Sequence, residues 1–171
     1  MPSQSIAQLH HHIRQLHMRI QTGVTESMRG PQAPSMTEIA RESEEDTVFG
    51  LDIVAEDIVL DFFEQHIYPD FECLLIAEGL EPDGMRLFAK SSHADDVPYR
   101  IIIDPIDGTR LLMYDKRSAW VLTAIANNAS DNTRSDDIFL AHQTEIPTSK
   151  QCLADELWAL GDEPTAGVRT N

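Results

Sequence analysis

The chain has 171 residues, 42% of them hydrophobic and 25% charged, enough apolar material for one globular unit with its own core. Its 13 basic residues face 29 acidic ones, a formal net charge of −16, which argues against nucleic acid or an anionic membrane as partner. No apolar segment approaches bilayer length, and the polar amino terminus does not read as a signal peptide, so a cytoplasmic location is expected.

In chain order, Ile6, Leu9, Ile13, Leu16 and Ile20 recur at spacings of three and four. They predict a helix with one apolar stripe, which Ser3 or Ser5 can cap. His10, His11, His12 and His17 decorate this helix. Three consecutive histidines point in different directions on a helix, so these are read as solvated polar positions. Residues 24–36, with Gly30-Pro31 and Pro34, read as a linker. A second helix is predicted from about Thr47 to His66, with Leu51, Val54, Ile58 and Phe62 inward, ending at Tyr68-Pro69. Within it Asp52 and Glu56 are four residues apart and share one face. Taken alone, such a pair reads by default as exposed helix charges.

Strand-like runs follow at 72–77, 99–103, 119–126, 137–142 and 155–160, separated by polar loops of hairpin character at 79–98 and 127–136. The stretch 161–167 reads as a loop. Two helices followed by consecutive strands predict an α+β fold, a helix pair packed on a largely antiparallel sheet. Cys73 and Cys152 lie in apolar surroundings without metal-type spacing and are expected to be reduced core residues. The Asn128-Ala129-Ser130 sequon carries no weight in a cytoplasmic protein.

The richest chemistry lies at Asp104-Pro105-Ile106-Asp107-Gly108-Thr109, directly after the apolar run Tyr99-Arg100-Ile101-Ile102-Ile103. Asp-Pro-x-Asp-Gly is also ordinary turn chemistry. Placement after three isoleucines puts its two carboxylates at the end of a rigid strand, before a Gly-Thr turn with backbone N–H groups to offer. Clustered oxygens suit hard divalent cations, and turn N–H groups suit a phosphate. A second apolar run, Cys73-Leu74-Leu75-Ile76-Ala77, ends in Glu78 and Gly79. Strand-end acids at 78 and 104, with the helix acids Asp52 and Glu56, form the constellation that metal-assisted phosphate ester hydrolysis requires.

These motifs resemble the inositol monophosphatase family, within the superfamily of lithium-sensitive, magnesium-dependent phosphatases that includes fructose-bisphosphatases. The family's strand followed by Asp-Pro-Ile/Leu-Asp-Gly-Thr/Ser is matched by residues 101–109. Its upstream pattern Asp-x-Val-x-x-x-Asp-x-x-x-Glu is matched in register by Asp46, Val48, Asp52 and Glu56. Its acidic strand end, commonly Gly-Glu-Glu, corresponds to Ala77-Glu78-Gly79. The resemblance spans roughly residues 5 to 160, the amino-terminal half of such an enzyme. There are departures: Gly79 replaces the second acid, and Arg110-Leu111-Leu112 follows where an asparagine is common.

The resemblance implies the amino-terminal domain of an inositol-monophosphatase-like layered sandwich, with the family's second domain absent from this chain. It implies a phosphatase that hydrolyses a small phosphate monoester, an inositol phosphate or related sugar phosphate, with Mg2+ as cofactor. Glu78, Asp104, the Ile106 carbonyl and Asp107 would ligate metal. Glu78, Thr109 and Asp52 would activate water, and the N–H groups of Gly108 and Thr109 would hold phosphate. A homodimer is left open. A catalytically incomplete homologue that binds metal without turnover is the alternative, since the absent half would supply another metal-binding aspartate and most substrate contacts.

Overall fold

The long amphipathic helix α1, Gln4–Arg29, buries Leu9, Ile13, Leu16, His17, Ile20 and Val24 along one stripe. The computed structural model that shows this describes residues 4–30, 39–42, 47–80, 83–161 and 163–170. The helix runs through 24–29, which the sequence assigns to a linker, because Val24 prolongs the apolar stripe. It ends where the Gly30 N–H closes on the Glu26 carbonyl, just before Pro31. The rest of the predicted linker, 31–38, lies outside the described residues.

Strands β1, Ile39–Glu42, and β2, Thr47–Phe49, form a two-stranded antiparallel ribbon. Helix α2 therefore starts later than predicted, at Gly50, and runs to Phe62 before a π-helical turn, Phe63–Ile67. The β-branched Thr47 and Val48 favour the extended conformation, and Phe49 is extended too, with φ −99° and ψ 163°. Asp46 lies outside the described residues. The inward face of α2 is Leu51, Ala55, Val59 and Phe62, whereas Val54 and Ile58 are half-buried. This helix is apolar nearly all round, so spacing alone does not pick its stripe. Helices α1 and α2 pack together at Gly23, where a Cβ would lie 2.6 Å from Ile58 Cδ1.

The remaining strands are β3 Cys73–Ala77, β4 Met85–Phe88, β5 Tyr99–Asp107, β6 Ala119–Asn127, β7 Ile138–Ile146, β8 Ala154–Leu160 and β9 Ala166–Thr170. They form one seven-stranded sheet in the order β4-β3-β5-β6-β7-β8-β9. Only the β3–β5 pairing is parallel. The α+β fold with a helix pair on a largely antiparallel sheet is thus observed. Edge strand β4, four residues long, lies in a stretch read as a loop, and edge strand β9, exposed throughout, begins in another. Edge strands need no apolar pattern, because one side has no neighbour to bury against.

The sheet has two unlike faces. Ile101 and Ile103, 0% and 2% exposed, point into the helix layer, while Ile102 between them is 52% exposed. Helix α1 rests on β6 and β7, and α2 on β5. On the other face Ile102, Leu122, Ala124, Ala141, Leu157 and Ala159 line an open cleft of about 500 Å³, with Asp104 at its margin. Among the described residues no helix is long and apolar enough to cross a membrane.

Two readings of side chains are corrected. His17 is not solvated but fully buried, its ring nitrogens 3.0 Å from Thr144 Oγ1 and 2.8 Å from Thr123 Oγ1. His10 is half-buried and 3.2 Å from His142 Nδ1. Strands β6 and β7 offer polar partners under α1, so a histidine can lie in the apolar stripe with its hydrogen bonds made. Cys73 is a buried free thiol, its pKa pushed up to about 12 by burial. Cys152 is also free but exposed, on the turn before β8. The Asn128 amide donates to the carbonyls of Ala94 and Val97 and accepts from Arg100 and Ser130, so it serves as a structural latch.

Candidate active site

Strands β3 and β5 run parallel in register, with Ala77 opposite Ile103. The next residues, Glu78 and Asp104, therefore leave neighbouring strands side by side. Between Asp104 and Asp107 the pairing of β5 with β6 slips, a bulge of the kind that re-aims side chains. Asp104 Oδ1 accepts the Ile106 N–H at 3.0 Å, an Asx turn made compatible with Pro105. Gly108 then adopts φ +101°, a left-handed conformation that glycine enters without Cβ strain. The chain reverses there into a short helix, α3, Thr109–Met113.

That reversal brings Thr109 back over the loop. Its Oγ1 lies 2.8 Å from Asp52 Oδ1 and 2.9 Å from the Ile106 carbonyl oxygen. One hydroxyl proton cannot serve both acceptors fully. Asp52, in the first turn of α2, also accepts the Phe49 N–H on Oδ2 at 2.8 Å. Both of its oxygens are thus engaged, one by the backbone and one by Thr109. Sequence positions near 52, 106 and 109 meet through three hydrogen bonds.

The Asp104 carboxyl is held above its ordinary pKa, first by burial and then by the charges of Asp107 and Asp52, with the Ile106 N–H pulling the other way. Asp107 and Glu78 are exposed. Four acids therefore sit on or beside one loop, and the half-buried Asp104 feels two of the others. The donor set is all oxygen and mostly anionic, which suits a hard divalent cation in kind. It is not closed around a point: among the described residues no three His, Cys, Asp or Glu side chains form a ready metal-holding group. Asp104, Asp107, Glu78 and the Ile106 carbonyl fit Mg2+ by chemistry and backbone placement, and their side chains would have to turn inward to hold it.

Glu56 belongs to the acidic constellation read from the sequence, which gave it no role as ligand or base. Gly79 has φ +85°, and a Cβ built there would lie 2.0 Å from Glu56 Oε1. The Glu56 carboxylate thus occupies the space that a side chain at position 79 would fill, next to Glu78. The signal in the sequence was the pair of facts noted separately: a glycine where an acid is common, and a helix glutamate four residues after Asp52. Arg110, exposed on α3, holds its guanidinium 5.9 Å from the centre of the Phe49 ring.

No protein-family model and no curated protein sequence matches the chain. Solved structures do match. The chain is similar over its full length to Leishmania major fructose-1,6-bisphosphatase in holo form, at 15% identity and a TM-score of 0.73, covering 52% of that chain. The T-state structure of the same Leishmania enzyme matches at 15% identity and a TM-score of 0.65, with 51% of it covered. A putative sedoheptulose-1,7-bisphosphatase from Toxoplasma gondii matches 93% of this chain at 11% identity and a TM-score of 0.62, with 47% covered. The shared property is the fold. The chain spans about half the length of the structures it matches.

Proposed function

We propose that this chain is the metal-binding part of a magnesium-dependent phosphatase acting on a small phosphate monoester, an inositol phosphate or a related sugar phosphate. The observation that carries the reading is the hydrogen bond between Thr109 and Asp52, formed beside an Asp104 that is held next to Glu78 by strand register. The likeness of fold to two sugar bisphosphatases supports the same class.

In this reading Glu78, Asp104, Asp107 and the Ile106 carbonyl hold the cation. A bound Mg2+ would supply Lewis acidity at phosphorus-bound oxygen and a lowered pKa for an attached water. The chain's own residues do the rest. Thr109 gives its hydroxyl proton to Asp52, which leaves an oxygen lone pair free to accept a proton from an incoming water. Asp52 is kept in place for this by the Phe49 N–H. Glu78, exposed at the strand end, shares in orienting that water. The N–H groups of Gly108 and Thr109 would hold phosphate oxygens as charge builds on them.

The reading includes a further unit. A second α/β domain would cover the apolar sheet face around Ile102 and Leu122, complete the substrate pocket beside Asp104 and select the ester. The chain alone is then weakly active or inactive. The competing reading is a homologue that binds metal without turnover. The deciding experiment assays the longest polypeptide carrying this sequence against inositol and sugar phosphates with and without Mg2+, beside Asp104→Asn. Mg2+-dependent hydrolysis lost in the variant supports the phosphatase. Metal binding with no turnover in any form supports the alternative.

A further inference from the structure

The candidate site is rich in acids, yet a phosphate ester is itself an anion. Asp52, Glu78, Asp104 and Asp107 would repel it, and the chain as a whole carries −16. A positive side chain at the loop would lower that barrier. Among the described residues, several basic groups are already paired with carboxylates. Lys150 pairs with Asp115 at 3.0 Å and Arg14 with Glu156 at 2.7 Å.

Arg110 differs. It follows Thr109 directly, is exposed, and lies over the Phe49 ring rather than against a carboxylate of the described residues. A guanidinium that contacts a ring face engages its π surface and leaves the in-plane N–H fork available. The platform is itself fixed to the site, because Phe49 is 9% exposed and its N–H is bound by Asp52 Oδ2. One aspartate thus joins the ring that carries Arg110 to the hydroxyl of Thr109.

Resting on the phosphatase reading, we infer that Arg110 is a substrate-binding residue that receives an anionic oxygen of the phosphate ester and selects for phosphorylated ligands. Arginine matches a phosphoryl group with two parallel N–H donors. Leu111 on the same short helix and Tyr114 directly after it, 41% and 66% exposed, would give the ester's carbon skeleton an apolar surface.

The test titrates inorganic phosphate, with Mg2+ present, into the wild-type protein and into Arg110→Gln, Arg110→Lys and Arg110→Glu, and measures hydrolysis kinetics on the same four. Since Arg110 is exposed, unchanged thermal unfolding serves as the folding control. Loss of one charge-assisted contact should weaken phosphate binding about tenfold in Arg110→Gln. Arg110→Lys should recover part of it, Arg110→Glu should bind more weakly still, and KM should rise more than kcat falls. Equal phosphate affinity across the four proteins, or no phosphate binding by the wild type, would overturn the inference. Hydrolysis with a KM indifferent to Arg110 would overturn it while leaving the phosphatase standing. Arg110-dependent phosphate binding without turnover in any form would do the reverse.

Discussion

The Thr109 hydroxyl reaches Asp52 across 57 positions of sequence, with Oγ1 2.8 Å from Oδ1. It ties the turn after β5 to the first turn of α2, and so fixes the site from both sides. A hydrogen bond to a carboxylate is worth about 1.5–3 kcal/mol at most, and less where water competes. In the proposed reaction the same bond positions a proton acceptor.

Thr109→Val keeps the shape and removes the hydroxyl. Its expected cost in stability is about 1 kcal/mol, whereas general-base positioning is worth roughly a hundredfold or more in rate. Thr109→Ser should keep most of the activity. Comparing kcat with the thermal midpoint for the three proteins separates the roles. A fully active Thr109→Val enzyme would remove Thr109 from the mechanism.

Asp104 makes a second prediction, because its pKa is raised by burial, Asp107 and Asp52. A carboxyl with a folded pKa above its unfolded value binds more protons when folded. The metal-free protein therefore loses stability as pH rises from about 4 through the raised value. At neutral pH, Asp104→Asn should melt a few degrees higher than wild type without divalent cation. Mg2+ should reverse the order: a ligand at a hundredfold over Kd stabilises the wild type by about 2.7 kcal/mol. The shift should vanish in Asp104→Asn/Asp107→Asn. KCl at matched ionic strength producing the same shift as Mg2+ would reduce the acids to a solvated surface.

The legible parts of the sequence were those where local pattern and tertiary role coincide. The three-isoleucine run before Asp104 is a central strand, and the alternation of Leu9, Ile13, Leu16 and Ile20 is the buried face of α1. Edge strands β4 and β9 escaped because half their surroundings are solvent. His17 escaped because its partners, Thr123 and Thr144, are more than a hundred residues away. At the site, the aspartates could be named from the loop itself. The part of Glu56 could not, since it depends on how close α2 passes to the left-handed Gly79.

The histidines under α1 predict an acid-side loss of stability. His142 donates from Nε2 to Glu156 Oε1 at 3.2 Å, so its Nδ1 accepts from His10. Around it stand His10, Arg14 and His17 from α1, Thr144 from β7, and Glu156 and Trp158 from β8. Burial, then His10, holds the His142 pKa down to about 4, and burial holds His17 well below its usual value. Unfolded histidines titrate near 6.5, so the unfolded chain binds more protons below that pH. Stability should be full above about pH 6.5 and fall towards pH 4, by about 3 kcal/mol for His142 alone. His142→Gln should flatten the thermal-midpoint profile over this window. A profile of unchanged slope in that variant would assign the acid sensitivity to other groups.

Gly79 offers a contrast that separates backbone from packing. Its φ of +85° penalises any residue with a Cβ, and the Glu56 carboxylate lies 2.0 Å from the place that Cβ would take. Glu56 Oε1 is the far end of a flexible side chain and can shift, whereas the backbone cannot easily leave its turn between β3 and β4. The left-handed conformation should therefore dominate, costing about 1 kcal/mol in Gly79→Ala. Asparagine enters that region more readily than alanine, so Gly79→Asn should be the less destabilising of the two despite its greater bulk. If sterics with Glu56 governed instead, the order would invert, and Glu56→Ala would rescue Gly79→Asn. Chemical denaturation of the two single variants, and of each combined with Glu56→Ala, reads the outcome directly. An alanine variant as stable as wild type would show that position 79 does not need the left-handed turn.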